Sequence, residues 1–276
     1  MTITLRFLGT SAGTPIPYAG CACAQCAEAR DAGTPYASPL HRARSAILLD
    51  RPDGALLVDA GPDIYQQLAR LPELPWLSAA IITHAHSDHY LGLDDLSAVA
   101  QTNGWLSDRD GAHSRLLPVY APPDNWPRIE ATFGYLFQSG DFQRLEARTL
   151  LLDQEQTIAG YSLLPFDSSH TTGFTTAMLS FSLGGKRVVY ASDIKVVPHE
   201  IFADADIAII NGTFYERDHP AHMPLLKGIR SCQRLGVGRI IVTHIGHLQY
   251  SNTELWARLS EHGADLAYDG AILTFD

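Results

Sequence analysis

Residues 2–9 alternate between apolar and polar positions and predict a strand, which runs into a Gly/Ser/Thr/Pro loop over 10–17. The stretch 21–44 is rich in Ala, Pro and Gly and is expected to be irregular, with little to pack. Residues 45–50 and 55–59, separated by Arg51-Pro52-Asp53-Gly54, predict a hairpin. Over 63–71, helical spacing places Ile64, Leu68 and Leu71 on one face, and 97–105 predicts a second helix. The short apolar run 79–83 predicts a buried strand ending at His84, and 117–120 a further short strand. In the second half, 162–166, 175–183 and 187–191 predict strands, the last two joined by Gly184-Gly185. Residues 207–211 and 239–243 are short buried runs, and 225–235 and 252–262 predict helices. A β-rich block followed by helices therefore occurs once in each half. Two sheets sandwiched between outer helices, an αββα arrangement of the α/β class, satisfies this pattern in one domain over residues 1–276.

Composition narrows the classes of function. The 276 residues are 46% hydrophobic and 18% charged, an ordinary globular balance. Lys and Arg number 20 against 30 Asp and Glu, a net charge of −10 that argues against a nucleic-acid partner. The opening residues are unlike a signal peptide, and no apolar run approaches the roughly 20 residues of a membrane helix. A soluble, cytoplasmic protein without a membrane partner is expected, and a homodimer is left open. Against that plain background stand 12 His and 4 Cys, three of the Cys within six positions. Cytosolic thiols are normally reduced, so such a cluster reads as a metal site before a disulfide.

The strongest chemical signal is His84-Ala85-His86-Ser87-Asp88-His89. Three imidazoles and a carboxylate in a loop after an apolar strand offer the nitrogen and oxygen ligands that zinc or manganese accepts. His84 and His86 can converge on one ion, while Asp88 and His89 can turn to a second. His170, Asp193 and His244 each directly follow an apolar strand, and together they complete two coordination shells. This order of residues resembles the metallo-β-lactamase fold superfamily over the whole chain. The resemblance implies that His84, His86 and His170 bind one metal, that Asp88, His89 and His244 bind another, and that Asp193 bridges both. Asp59 matches the superfamily's early Asp, which supports a ligand His from behind. Two divalent ions so held would lower the pKa of a shared water toward neutrality and absorb charge in the transition state.

Cys21-Ala22-Cys23-Ala24-Gln25-Cys26 offers three thiolates suited to one structural zinc, with a fourth ligand from elsewhere. His247, Cys232, His41 and His222 are candidates for it; Cys232, on the apolar face of a predicted helix, reads more simply as a small buried hydrophobe. Within the superfamily, so early a Cys-x-Cys-x-x-Cys is similar to the phosphodiesterase family of the bacterial carbon–phosphorus lyase pathway, which acts on phosphoribosyl 1,2-cyclic phosphate. Thr243-His244-Ile245-Gly246-His247 matches that family's Thr-His-Ile-x-His. The resemblance implies His244 in the catalytic pair and His247 as the fourth zinc ligand.

In the polar loop 216–224, His222 stands where that family carries a His acting on substrate. Protonated, it would stabilise phosphoryl oxygens or donate a proton to the leaving alkoxide. His219 is the weaker candidate. His222 and Asp88 are thus the expected catalytic residues. Asn211-Gly212-Thr213-Phe214 and Ala221-His222-Met223-Pro224 are also similar to the pyrroloquinoline quinone biosynthesis B family, which generally lacks the full His-x-His-x-Asp-His. The complete motif favours a dinuclear hydrolase, and the resemblance to the phosphodiesterase family implies a small, cyclic phosphate diester as its substrate. The alternatives are a hydrolase or oxidoreductase of cofactor biosynthesis, or a non-catalytic metal-binding protein. A tRNA-processing nuclease would want a basic arm, whereas residues 101–165 hold five Arg and no Lys against eight acids. The loop 9–14 is a weak phosphate-cradle signal, and Arg42 and Arg44 are expected to be solvated on the surface.

Overall fold

The computed structural model describes residues 2–33, 38–101 and 116–276. The first sheet takes β1 (Ile3–Gly9), β2 (Ala46–Asp50), β3 (Ala55–Val58), β4 (Leu77–Ile81), β5 (Leu117–Ala121) and β6 (Leu145–Thr149). The second takes β7 (Gln156–Ile158), β8 (Tyr161–Asp167), β9 (Ala177–Leu183), β10 (Lys186–Ala191), β11 (Ile207–Asn211), β12 (Arg239–Thr243) and β13 (Asp265–Leu266). The last strand, β14 (Ile272–Phe275), returns to the first sheet beside β1, giving the orders β14-β1-β2-β3-β4-β5-β6 and β13-β12-β11-β10-β9-β8-β7.

Each sheet begins antiparallel and ends parallel. Parallel neighbours need long crossovers, and helices fill them. In the first half these are α2 (Ile64–Ala69), α3 (Ser87–Tyr90), α4 (Leu93–Ala100) and α5 (Trp126–Phe137), following α1 (Ala24–Asp31) near the N-terminus. In the second half they are α6 (His199–Phe202), α7 (Leu225–Arg234) and α8 (Asn252–Glu261). The αββα expectation from the sequence is met.

The strands read as continuous apolar runs because both of their faces are buried. In β2, Ala46 and Leu48 pack toward helices while Ile47 and Leu49 face the opposite sheet. In β11, Ala208 and Ile210 face helices and Ile209 faces the first sheet. The layer between the sheets joins Leu5, Phe7, Ile47 and Val58 to Phe181, Val188, Tyr190 and Ile241.

Three expectations need correction. Part of the stretch 21–44 is helical, not irregular. Helix α1 lacks an apolar stripe and is held by polar contacts, with Gln25 Oε1 accepting from Leu248 N–H at 2.8 Å and Glu28 Oε2 from Asn252 N–H at 2.6 Å. Helix α4 starts four residues earlier than expected, and 102–105 lies outside the described residues. Arg42 is not a surface residue: it is 1% exposed, donating to Thr10 Oγ1 at 2.8 Å, Asn252 Oδ1 at 3.1 Å and the Ala267 carbonyl. Arg44, by contrast, pairs with Asp63 at 2.9 Å.

Near Arg42, the buried Asp269 accepts from Thr10 Oγ1 at 2.8 Å and Ala43 N–H at 2.7 Å. Burial nevertheless pushes its carboxyl up to about 7, against those hydrogen bonds and the Arg42 charge. Between about pH 4 and pH 7 the folded chain holds a proton there that the unfolded chain, with an ordinary Asp near 3.9, has released. Rising pH through that window therefore favours unfolding, by up to about 1.4 kcal/mol per pH unit. Asp269→Asn, which has no such proton to lose, is expected to gain stability relative to the native chain from pH 4 to 7. Above pH 7 the difference should be constant. Urea melts at stepped pH read this directly, and parallel stability profiles would rule the effect out.

Candidate metal centre

The site lies where strands of both sheets end. Asp59 follows β3, His84 follows β4 by two residues, His170 lies beyond β8, Asp193 beyond β10 and His244 directly after β12. The backbone turns sharply at three of these ends: Asp59, Ser169 and His244 have φ of 68°, 54° and 51°, in the left-handed region that non-glycine residues seldom occupy. The short helix α3, carrying Asp88 and His89, is clamped to the end of β3, with Ala60 N–H donating to the His89 carbonyl and Gly92 N–H to the Ala60 carbonyl, both at 2.8 Å. Gly61 permits this approach, since a β-carbon there would overlap the Asp88 carbonyl.

The sequence-predicted donors come together in two sets. In the first, His86 Nδ1 lies 2.8 Å from His84 Nε2 and 3.2 Å from His170 Nε2. In the second, Asp88 Oδ2 lies 3.3 Å from His89 Nε2 and 3.5 Å from His244 Nε2. Asp193 stands between them. Its Oδ1 faces His170 Nε2 at 3.6 Å, and its Oδ2 faces His89 Nε2 at 3.1 Å and His244 Nε2 at 3.2 Å.

The far side of four of the rings is anchored. His89 Nδ1–H donates to Asp59 Oδ2 at 2.8 Å and His170 Nδ1–H to the Ala221 carbonyl at 2.8 Å. The Thr83 hydroxyl donates to Asp59 and takes His84 Nδ1–H at 3.1 Å. Thr213 does the same for His244, accepting Nδ1–H at 3.0 Å. These bonds leave Nε2 of four rings aimed inward, the arrangement that fixes imidazoles for a metal. Among the described residues, His89 Nε2, His244 Nε2 and Asp193 Oδ2 are buried without a hydrogen-bond partner, although they converge. Unpaired buried donors and acceptors are costly, and a divalent cation would satisfy all three. The nitrogen and carboxylate set fits such an ion.

Charge follows from burial. Desolvation first, then neighbouring imidazoles, hold His84 well below the ordinary range. Burial alone would lower His89, but Asp88, Asp59 and Asp193 outweigh it and raise the ring well above its usual value. Burial opposes ionisation of Asp193, yet the imidazoles of His244 and His89 keep its carboxyl well below the usual range.

A second cluster lies in the N-terminal segment. Cys21, Cys23 and Cys26 place their Sγ atoms 3.3, 3.5 and 3.3 Å from His247 Nδ1. Of the four candidates for a fourth partner, the structure brings His247 to the thiols. Cys232 lies on α7 with its side chain fully buried in the core. The Cys23 backbone N–H, foremost, draws the Cys21 thiol down to about 7, while burial pushes Cys26 up to about 12.

His222 sits beside the first cluster, its Nδ1 3.8 Å from Asp193 Oδ1 and 3.5 Å from Thr213 Oγ1. Burial depresses it to about 3, despite Asp193, so the ring is neutral near pH 7 rather than protonated as expected. Three contacts tie its loop to the donor-bearing segments. Met223 N–H donates to the Ile194 carbonyl at 2.9 Å, His170 bonds Ala221, and Lys195 Nζ donates to the carbonyls of His219 and His222.

Residues 55–245 match the family described as "Beta-lactamase superfamily domain". The chain belongs to the metallo-β-lactamase superfamily. Among solved structures it is similar to a new diphosphatase from the PhnP family, at 23% identity, a TM-score of 0.80, and coverage of 100% of this chain and 98% of that one. It is 26% identical over 319 residues to coenzyme PQQ synthesis protein B of Cupriavidus necator, covering 97% of this chain and 98% of the relative. It is also 25% identical over 249 residues to an octanoyltransferase of Porphyromonas gingivalis, covering 87% of this chain but only 45% of the relative.

Several residues of this superfamily site had escaped the sequence reading. Thr83 and Thr213 steady rings, and Asn125 Oδ1 takes the Ala85 N–H at 2.6 Å, fixing the loop between His84 and His86. Thr83 adjoins His84 and was visible as a hydroxyl at a strand end; Asn125 and Thr213 are distant in sequence and carry no local signal. Among the described residues, no helix is long and apolar enough to cross a membrane. Asp59→Asn, which cannot offer His89 the same charged acceptor, is expected to weaken divalent-ion uptake roughly 10–100-fold with the fold retained. Metal-binding titration alongside circular dichroism checks this, and unchanged affinity would remove Asp59 from the support of His89.

Proposed function

We propose that this chain is a dinuclear metal-dependent hydrolase of a small phosphate diester, cyclic and of the phosphoribosyl type. The observation that carries the reading is Asp193, whose two oxygens face separate donor sets. His84, His86 and His170 would hold one divalent ion, zinc or manganese, and Asp88, His89 and His244 the other, with Asp193 shared. Ions bound there would supply Lewis-acid polarisation of a phosphoryl oxygen and acidification of water.

The protein's own residues set the rest. Asp59 and Thr83 orient the ligand rings from behind. Asp193 fixes the separation of the two halves of the site. His222, neutral and 12% exposed, borders Asp193 from the open side, and its ring reaches substrate as a hydrogen-bond partner for a phosphoryl oxygen or the leaving oxygen. Cys21, Cys23, Cys26 and His247 would bind a structural zinc that staples the N-terminal segment beside the site. The complete His-x-His-x-Asp-His and the likeness to a PhnP-family diphosphatase favour this reading. A net charge of −10 disfavours nucleic acid and favours a small substrate, while the thiol cluster suits a reducing cytoplasm. Similarity to coenzyme PQQ synthesis protein B over 97% of the chain favours a second reading, chemistry in cofactor biosynthesis.

Phosphorus NMR on a five-membered cyclic ribose phosphate tests the first reading. The metal-loaded native chain is expected to open the ring to a monoester, and Asp193→Ala to abolish turnover. His222→Ala should slow it roughly 10²–10⁴-fold with metal content unchanged. No turnover by fully loaded protein would move the assignment to the cofactor branch, and metal loss in His222→Ala would make His222 a ligand. For the second cluster, His247→Ala is expected to lower zinc content by one equivalent and reduce thermal stability. Unchanged zinc content would exclude His247 as a ligand.

A further inference from the structure

A cavity of about 470 Å³ opens on the flank of the sandwich, between β1, α2, α8 and the segment joining β13 to β14. None of the donors that the structure gathers into the metal centre or the thiol cluster is among the described residues lining it, so it is distinct from the sites above. Its size is that of a small-molecule site. One wall is aromatic: Trp256 and Tyr268 lie parallel within 28°, ring centroids 6.0 Å apart, and remain 44% and 36% exposed. Arg6 and Arg70 bring positive charge to the cavity in a chain that is strongly acidic overall. Arg70 Nη1 also lies 3.8 Å from Asp269 Oδ2, which takes the Ala43 N–H.

The polar side chains beneath are unsatisfied. Gln67, 2% exposed, donates Nε2–H to the Arg44 carbonyl at 2.7 Å, but its Oε1 has no partner. His41, 1% exposed, has no hydrogen-bond partner on either ring nitrogen among the described residues. Burial, then the Arg70 charge, keeps this imidazole neutral, so it offers one donor and one acceptor. Buried polar atoms are seldom left unpaired without an occupant nearby to pair them.

We propose that this cavity is a second ligand site, for a phosphorylated heteroaromatic compound of mononucleotide size. The planar ring would stack on Trp256 and Tyr268, as bases do on aromatic side chains. Arg6 and Arg70 would face the phosphate, whose oxygens suit guanidinium forks. Hydroxyl or amine groups on the ligand would supply the donor that Gln67 Oε1 lacks and the partners that His41 lacks.

Calorimetric titration of the metal-loaded chain with 5′-AMP tests this, with adenosine and inorganic phosphate in parallel. Saturable binding is expected, kept in Asp193→Ala and weakened about tenfold or more in Trp256→Ala and in Arg6→Gln. Both changes lie at exposed or half-buried positions, and thermal melts confirm that each variant is folded. Adenosine and phosphate alone should bind more weakly than AMP. Three results overturn the proposal: no saturable binding at millimolar AMP; binding lost in Asp193→Ala but unchanged in the cavity variants, which assigns it to the metal centre; or adenosine binding as tightly as AMP, which removes the phosphate and the arginines from recognition.

Discussion

The Asp193 carboxylate, buried between imidazoles of both sheets, is the contact on which the whole centre depends. It comes from the end of β10, while His89, its partner at 3.1 Å, comes from the loop after β4 in the opposite sheet. The two can meet only because Leu5, Phe7, Ile47 and Val58 pack against Phe181, Val188 and Tyr190, setting the spacing of the sheets. Core packing thus determines where the donor atoms lie, to within what close-packed interiors allow. The electrostatics follow from the same geometry: imidazoles hold the Asp193 carboxyl below its usual range, and three acids raise His89 above its own.

The ends of strands supply the donors, and the loops between them are braced rather than free. Asp59 and His244 take left-handed backbone conformations that hold their side chains inward. The His222 loop illustrates the bracing best. It is fastened to the segment after Asp193 by the Ile194 carbonyl and Lys195, and to His170 through Ala221. His222 is thereby referenced to the donors themselves and not to a distant scaffold. Such cross-fastening preorganises a site without a rigid helix beneath it.

Much of this was legible in the sequence, for definite reasons. Strands buried on both faces leave unbroken apolar runs, so β10, β11 and β12 stood out, and the donors immediately after them were readable as strand-end residues. The spacing in His84-Ala85-His86-Ser87-Asp88-His89 carries its chemistry locally. What escaped depends on contacts distant in sequence. Helix α1 has no apolar stripe, and its polar anchors, Leu248 and Asn252, lie more than 220 residues away. Arg42 looked like a surface cation because its three acceptors are scattered from Thr10 to Ala267. Helix α5 did carry a signal, Ile129, Phe133 and Leu136 at helical spacing, but Pro122, Pro123 and Pro127 crowd its start and Gly134 interrupts it. The neutral state of His222 is a matter of burial, which residue order does not reveal.

The pairing of β14 with β1 has a bearing on how the chain is made. Ile3 lies opposite Phe275, and Thr4 opposite Thr274, so the first sheet takes its outermost strand from a segment translated after the whole second sheet. The contacts of Cys21, Cys23 and Cys26 with His247 span a comparable length. Closing loops of this size early is entropically unfavourable, and long-range pairings of this kind slow folding. The second sheet, contiguous from β7 to β13, can assemble during synthesis from its own segment, whereas β1 must wait with one edge unpaired until β14 has been made. An unpaired edge strand invites intermolecular pairing, so the interval between translation of β13 and docking of β14 is when the nascent chain is most exposed to aggregation.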